Sequence, residues 1–192
     1  NSILAKKEFN FSPIVETWLH FLKEELLKIN VNLSFKKYEF EYVPTFDVDN
    51  AFRYLGRNWQ KHPPNLLKVD CWKTLAGKQI DKYDVFDEMI KEINKYKLQP
   101  IFFFLLNDDG ENNSKVSPDS KKYHEFISKL SALFDIGLHP SYDSLKMNLV
   151  ADEYQKLQKL TNRNIYNSRQ HFLKISMPDL ITNFDDTSSL QI

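Results

Sequence analysis

Glycine is scarce in this chain, four residues in 192, and neither GxGxxG nor GxxxxGK occurs, which excludes a glycine-built phosphate cradle. One cysteine, Cys71, leaves no partner for an internal disulfide and too few thiolates for a cysteine-based structural zinc site. Charge of one sign is missing as well: 26 basic residues balance 26 acidic ones. Without a basic field, nucleic acid and anionic membranes are not expected partners, a local basic groove aside. No run of about 18 apolar residues occurs, so no transmembrane helix is expected. The opening stretch NSILAKKEFNF does not read as a signal peptide, and with the lone thiol the expectation favours the cytoplasm. What is present is ordinary for a globular chain. The 42% hydrophobic content suffices for a packed core, and the length fits one domain with a short appendage.

Ser12-Pro13 before IVETWLHFLKEELLKI reads as a capped helix with proline at its first position. The alternating, aromatic KKYEFEYVPTF reads as a strand ending near Phe46. Residues 50–81 are irregular, centred on His62-Pro63-Pro64, and their aromatic content favours an ordered functional loop. Beyond them the pattern becomes regular. YDVFDEMIKEINKY has apolar residues at helical spacing, with Asp84 as a cap. PIFFFLLN (100–107) is a strand buried on both faces. A second helix follows Ser117-Pro118, with apolar positions 123, 126, 127, 130 and 133. FDIGLHPS (134–141) is a strand, LKMNLVADEYQKLQKL a third helix, NIYNSRQHF (164–172) a fourth strand, and Pro178 opens another helix. Strand starts near 100, 135 and 165 repeat at the size of a βαβ unit. Right-handed crossovers then predict an α/β fold with parallel strands, open or curled into a barrel.

In such folds functional groups gather at the carboxyl ends of the strands. Strand one ends in Asp47 and Asp49; strand two in Asn107, Asp108 and Asp109; strand three in His139, Ser141 and Asp143; strand four in Arg169, Gln170 and His171. Carboxylates with histidines suit Zn²⁺ or another divalent first-row ion with an open position. A second carboxylate beside an arginine suits proton transfer. Each residue also has a plainer reading. Asp-x-Asp after a strand is common turn chemistry. Asp143 is a ligand or the N-cap of the next helix. His139 is a ligand or a satisfied, half-buried histidine, and Arg169 orients a base or pairs with a structural carboxylate.

PTFDVD (44–49), IGLHPSYDS (136–144) and SRQHFLKIS (168–176), in this order and spacing, resemble the polysaccharide deacetylase family, carbohydrate esterase family four, in a branch with an extra N-terminal region. The resemblance spans roughly residues 38–180. It implies a distorted (β/α) barrel and metal-dependent removal of acetyl groups from N-acetylated sugars. Carried over by motif, Asp47 is the base, Asp49 and His139 are metal ligands, and Arg169 orients the base. Asp143 stands where the family has a second histidine and is carried over as a ligand, with His171 as general acid or reserve ligand. The expected ion is Zn²⁺. Tyr54, Trp59 and Trp72 are expected to stack on sugar faces. A helical segment, 1–37, is expected to pack on a barrel domain, 38–192, that lacks its last strands and stays incomplete or an open curved sheet. The alternative function is a non-catalytic carbohydrate-binding or assembly module.

Overall fold

The computed structural model describes residues 13–36, 39–144 and 149–174. The chain divides into two compact units, Asn1–Glu41 and Tyr42–Ile192. In the first, α1 (Ile14–Ile29) starts after Pro13, whose carbonyl accepts from the Thr17 N–H and hydroxyl at 2.9 and 2.8 Å. Proline therefore stands just outside the helix rather than at its first position, and Ser12 lies outside the described residues. None of the described helices is long and apolar enough to cross a membrane.

The second unit carries a four-stranded, all-parallel sheet in the order β1 (Thr45–Val48), β2 (Ile101–Phe104), β3 (Asp135–Leu138), β4 (Asn167–Ser168). Between the strands run α2 (Val69–Leu75), α3 (Phe86–Lys95), α4 (Lys121–Ser131) and α5 (Val150–Thr161). The expected mixed α/β class with parallel strands is thus present. Among the described residues β1 and β4 are the edges of the sheet, and four parallel strands suit an incomplete barrel and an open curved sheet alike.

Several boundaries differ from the sequence expectation, for identifiable reasons. β1 begins at Thr45 and runs past Phe46, whereas residues 39–44 are not strand. The first rung is the Ile101 N–H on the Pro44 carbonyl at 3.0 Å. Pro44 and Pro100 have no N–H to donate, so the ladder cannot continue upstream. Asp84 does not cap α3, which starts at Phe86 without a side-chain cap. α4 is capped by Ser120, whose hydroxyl accepts the Tyr123 N–H. The 50–81 stretch is ordered, as expected, but includes α2, which buries Cys71 and Thr74. At seven residues it is too short for a helical period to register. The helix expected from Pro178 lies outside the described residues, as do residues 145–148 of the third expected helix.

The strand period of two divides the sheet cleanly. Val48, Phe102, Phe104, Ile136 and Leu138 point to one face and form the core with Phe86 and Ile93 of α3, Tyr123, Phe126, Ile127 and Leu130 of α4, and Val150, Tyr154 and Leu157 of α5. The alternate positions, Asp47, Phe103 and Gly137, belong to the other face and sit side by side in register. That parity is what gathers polar groups on one side of a strand that is otherwise apolar.

Candidate metal centre

Val48, between the two aspartates, is buried in the helix-side core. Alternation therefore sends Asp47 and Asp49 to the same, opposite side. His139 follows the last residue of β3, and its N–H continues the ladder on the Phe104 carbonyl at 2.9 Å. Arg169 continues β4 in the same way, donating to the Leu138 carbonyl at 3.0 Å. Two residues later His171 opens a tight turn, His171–Leu173, in which Phe172 and Leu173 both take positive φ.

These strand ends bring Asp49, His139 and His171 together, with one ligand atom from each within 4.8 Å of the others. Asp49 Oδ1 lies 3.3 Å from His139 Nε2 and 3.4 Å from His171 Nδ1. The two ring nitrogens are 2.9 Å apart. The rest of each ring determines where its proton is. His139 Nδ1 faces the Arg169 carbonyl, and His171 Nε2 faces the Asn112 carbonyl at 2.8 Å. A carbonyl only accepts, so each ring donates there and turns its bare nitrogen inward. Asp49 Oδ1, buried, has no hydrogen-bond partner among the described residues. Three lone pairs thus converge with no hydrogen between neutral rings.

Such a cluster needs a positive centre, either a proton or a metal ion. With a proton as that centre, a hydrogen bond from the His139 ring holds the Asp49 carboxyl below the ordinary value, the burial of Asp49 opposing and the His171 charge assisting. The donor set fits a metal. One carboxylate and two imidazoles, each imidazole with its far N–H held by a backbone carbonyl, is how ligating histidines are usually oriented. A tetrahedral ion bound at ~2.0–2.1 Å sets its ligand atoms roughly 3.3 Å apart. The two carboxylate–imidazole separations match that edge, and three protein ligands leave a fourth position open. The residues therefore fit a divalent ion of the zinc class.

Beside the triad, Arg169 Nη1 donates to Asp47 Oδ1 and Nη2 to Thr45 Oγ1, both at 2.9 Å. Arg169 thus joins the two groups, its side chain holding Asp47 and its carbonyl holding His139. The loops are tied as well. Asn50 Oδ1 accepts the Lys115 N–H at 2.7 Å, linking the segment after Asp49 to the loop that offers Asn112. Buried Asp81 accepts the N–H groups of Arg53 (2.7 Å), Tyr54 (2.7 Å), Leu55 (3.2 Å) and Tyr83 (3.0 Å). Behind His139, Ser141 gives both its N–H and its hydroxyl to buried Glu153, and burial raises the Glu153 carboxyl against those bonds.

Of the nine residues to which the sequence analysis assigns a role, five meet here: Asp47, Asp49, His139, Arg169 and His171. Asp143 does not. It is half-exposed and paired with Lys174 at 3.0 Å, outside the triad, and His171 takes the remaining ligand position. Tyr54 cannot stack on a sugar, because it is buried and lies over Arg53. Trp59 and Trp72 are half-exposed; the Trp72 indole N–H is used on the Leu66 carbonyl at 2.8 Å. Sequence reading missed Asp81, Glu153 and the Asn112 carbonyl; a backbone acceptor leaves no mark in residue identity. Comparison with family models, curated proteins and solved structures finds no match to this chain.

Proposed function

We propose that the chain is a metal-dependent hydrolase that removes N-acetyl groups from a sugar of a polysaccharide or its precursor. One observation carries the reading: a lone-pair triad and a separate carboxylate–arginine pair share the end of one sheet and are joined through Arg169. Asp49, His139 and His171 would hold the ion, which supplies Lewis acidity for an amide carbonyl and acidifies water. Asp47 has Oδ1 engaged by Arg169, which leaves Oδ2 to accept the proton of an attacking water. The Arg169 fork orients that carboxylate and supplies its countercharge. Water adds to the acetamide carbon, the C–N bond breaks, and acetate and a free amine result. The choice of an N-acetylated sugar is supported by the resemblance of the three motifs at 44–49, 136–144 and 168–176.

The test is acetate release from N-acetylated oligosaccharides by protein loaded with Zn²⁺ or Co²⁺. Release that is lost in Asp47→Asn supports the reading. No release from fully loaded protein, or undiminished release in Asp47→Asn, sinks it. A second reading, a carbohydrate-binding or assembly module without catalysis, draws on Asp143, which replaces the family's second histidine and is neutralised by Lys174. Metal analysis separates the two. Protein that takes up no stoichiometric metal, with sugar binding intact in Asp49→Ala, favours the module.

A further inference from the structure

The guanidinium of Arg169 reaches across the whole sheet. Arg169 follows β4, one edge strand, while Asp47 and Thr45 lie on β1, the other. Laid flat, three strand spacings would separate those edges by roughly 14 Å. The gap is closed over a single row, Asp47, Phe103, Gly137 and Asn167, in register from β1 to β4. Neighbours in register point the same way, so the row belongs to the face that bears the site.

Gly137 is the bare position in that row. A Cβ there would lie 2.4 Å from both Cδ1 and Cε1 of Phe103, so the ring occupies the space a side chain would fill. Phe103 is buried, yet it stands apart from the core cluster on the opposite face. Arg169 rests on its ring, with Cζ 4.6 Å from the centroid, inside the range of a cation–π contact. Held there, the guanidinium meets Asp47 and Thr45 at once. An arginine one-third exposed otherwise spends rotamer entropy to keep such a geometry.

We infer that Phe103 is a positioning residue: its ring, admitted by the missing side chain of Gly137, is the platform that holds Arg169 against Asp47. A core phenylalanine contributes volume, which an aliphatic side chain partly replaces. A platform needs the π-face, which only another aromatic ring restores. The experiment compares Phe103→Leu, Phe103→Met and Phe103→Tyr in the full chain. Its first readout needs no activity. It is the Arg169 Nε–Hε resonance in ¹H–¹⁵N spectra, assigned by its loss in Arg169→Lys.

In the wild type this resonance is expected to be shifted by the ring current and slowed in exchange by the ring that covers it. Phe103→Tyr keeps both properties. Phe103→Leu loses the shift and exchanges about tenfold faster, the factor expected of a partly desolvated cation–π contact. Where Phe103→Leu fails to fold, Phe103→Met makes the same comparison with a more adaptable side chain. An Arg169 resonance unchanged in a folded aliphatic variant overturns the inference. The second readout rests on the hydrolase reading. In the aliphatic variants kcat falls about tenfold while KM and Zn²⁺ affinity stay within about twofold, and Phe103→Tyr restores kcat. An undiminished kcat overturns the inference too. If the wild type releases no acetate, the hydrolase reading falls and the resonance still decides the role of Phe103.

Discussion

Replacing Asp81 with alanine should loosen the segment that follows Asp49 without touching the side chains of the Asp49–His139–His171 triad. The Asp81 side chain is buried and accepts four backbone N–H groups, three of them from the consecutive residues Arg53, Tyr54 and Leu55. In Asp81→Ala the N–H of buried Tyr54 is left without a partner, at a cost of about 2 kcal/mol. The amides of part-exposed Arg53, Leu55 and Tyr83 recover water and lose roughly 0.5 kcal/mol each. The total is about 3.5 kcal/mol, against a stability on the order of 5–15 kcal/mol for a domain. At ~2–4 °C per kcal/mol for a unit of this size, Tm falls by about 7–14 °C. Asp81→Asn keeps one acceptor oxygen and falls between alanine and wild type. The assay is thermal and urea unfolding by circular dichroism, with amide exchange read at residues 53–55 and 83. Selective loss of protection at those amides is the local signature. A Tm within about 2 °C of wild type, with protection retained, would show that Asp81 does not hold this turn and refute the reasoning.

Metal binding should track the triad and ignore Asp143. His171→Ala weakens Zn²⁺ or Co²⁺ by at least about tenfold in a competition titration, whereas Asp143→Ala stays within about threefold. A saturating ion, at ~100 times its Kd, raises wild-type stability by about 2.7 kcal/mol, visible as a higher Tm that His171→Ala does not show. Glu153 gives a pH signature of defined sign. Burial raises its folded carboxyl above the unfolded value, so the stability it contributes is complete below the unfolded value and is lost as pH rises through the folded one. Glu153→Gln removes that loss. In urea midpoints the variant therefore gains on the wild type as pH rises above the ordinary carboxylate range, and parallel curves would contradict the assignment. Arg169→Lys keeps the charge but loses the two-pronged grip on Asp47 and Thr45, so on the proposed hydrolase reading acetate release falls by at least about tenfold while metal affinity holds.

Much of the architecture is legible because its physics is local. IFFFLL announces a strand buried on both faces, the spacing from Tyr123 to Leu130 announces an amphipathic helix, and their alternation implies parallel pairing. The start of β1 is less visible. The aromatic alternation before Pro44 is as strand-like as the strand itself, and only pairing with a neighbour that begins after Pro100 ends it. At the site, the aspartates, His139 and Arg169 are legible from their places at strand ends. The choice between Asp143 and His171 is not, because it depends on a backbone carbonyl 59 residues away that fixes the His171 ring. Phe103 hides for another reason. Within a run of phenylalanines nothing distinguishes the ring that faces Arg169 from those that fill the core.

The two prolines at the base of β1 and β2 bear on the accuracy of folding. Side-chain direction alternates, so sliding β1 by one residue would turn Asp47 and Asp49 toward the helices and expose Val48. Neither strand can lengthen at that end to stabilise a shifted pairing, because Pro44 and Pro100 offer no hydrogen for another rung. A misaligned chain loses contacts there and has no means of replacing them. Two residues that take no part in any chemistry thus act as the stop against which the strands are aligned, and the sidedness of the site depends on that stop.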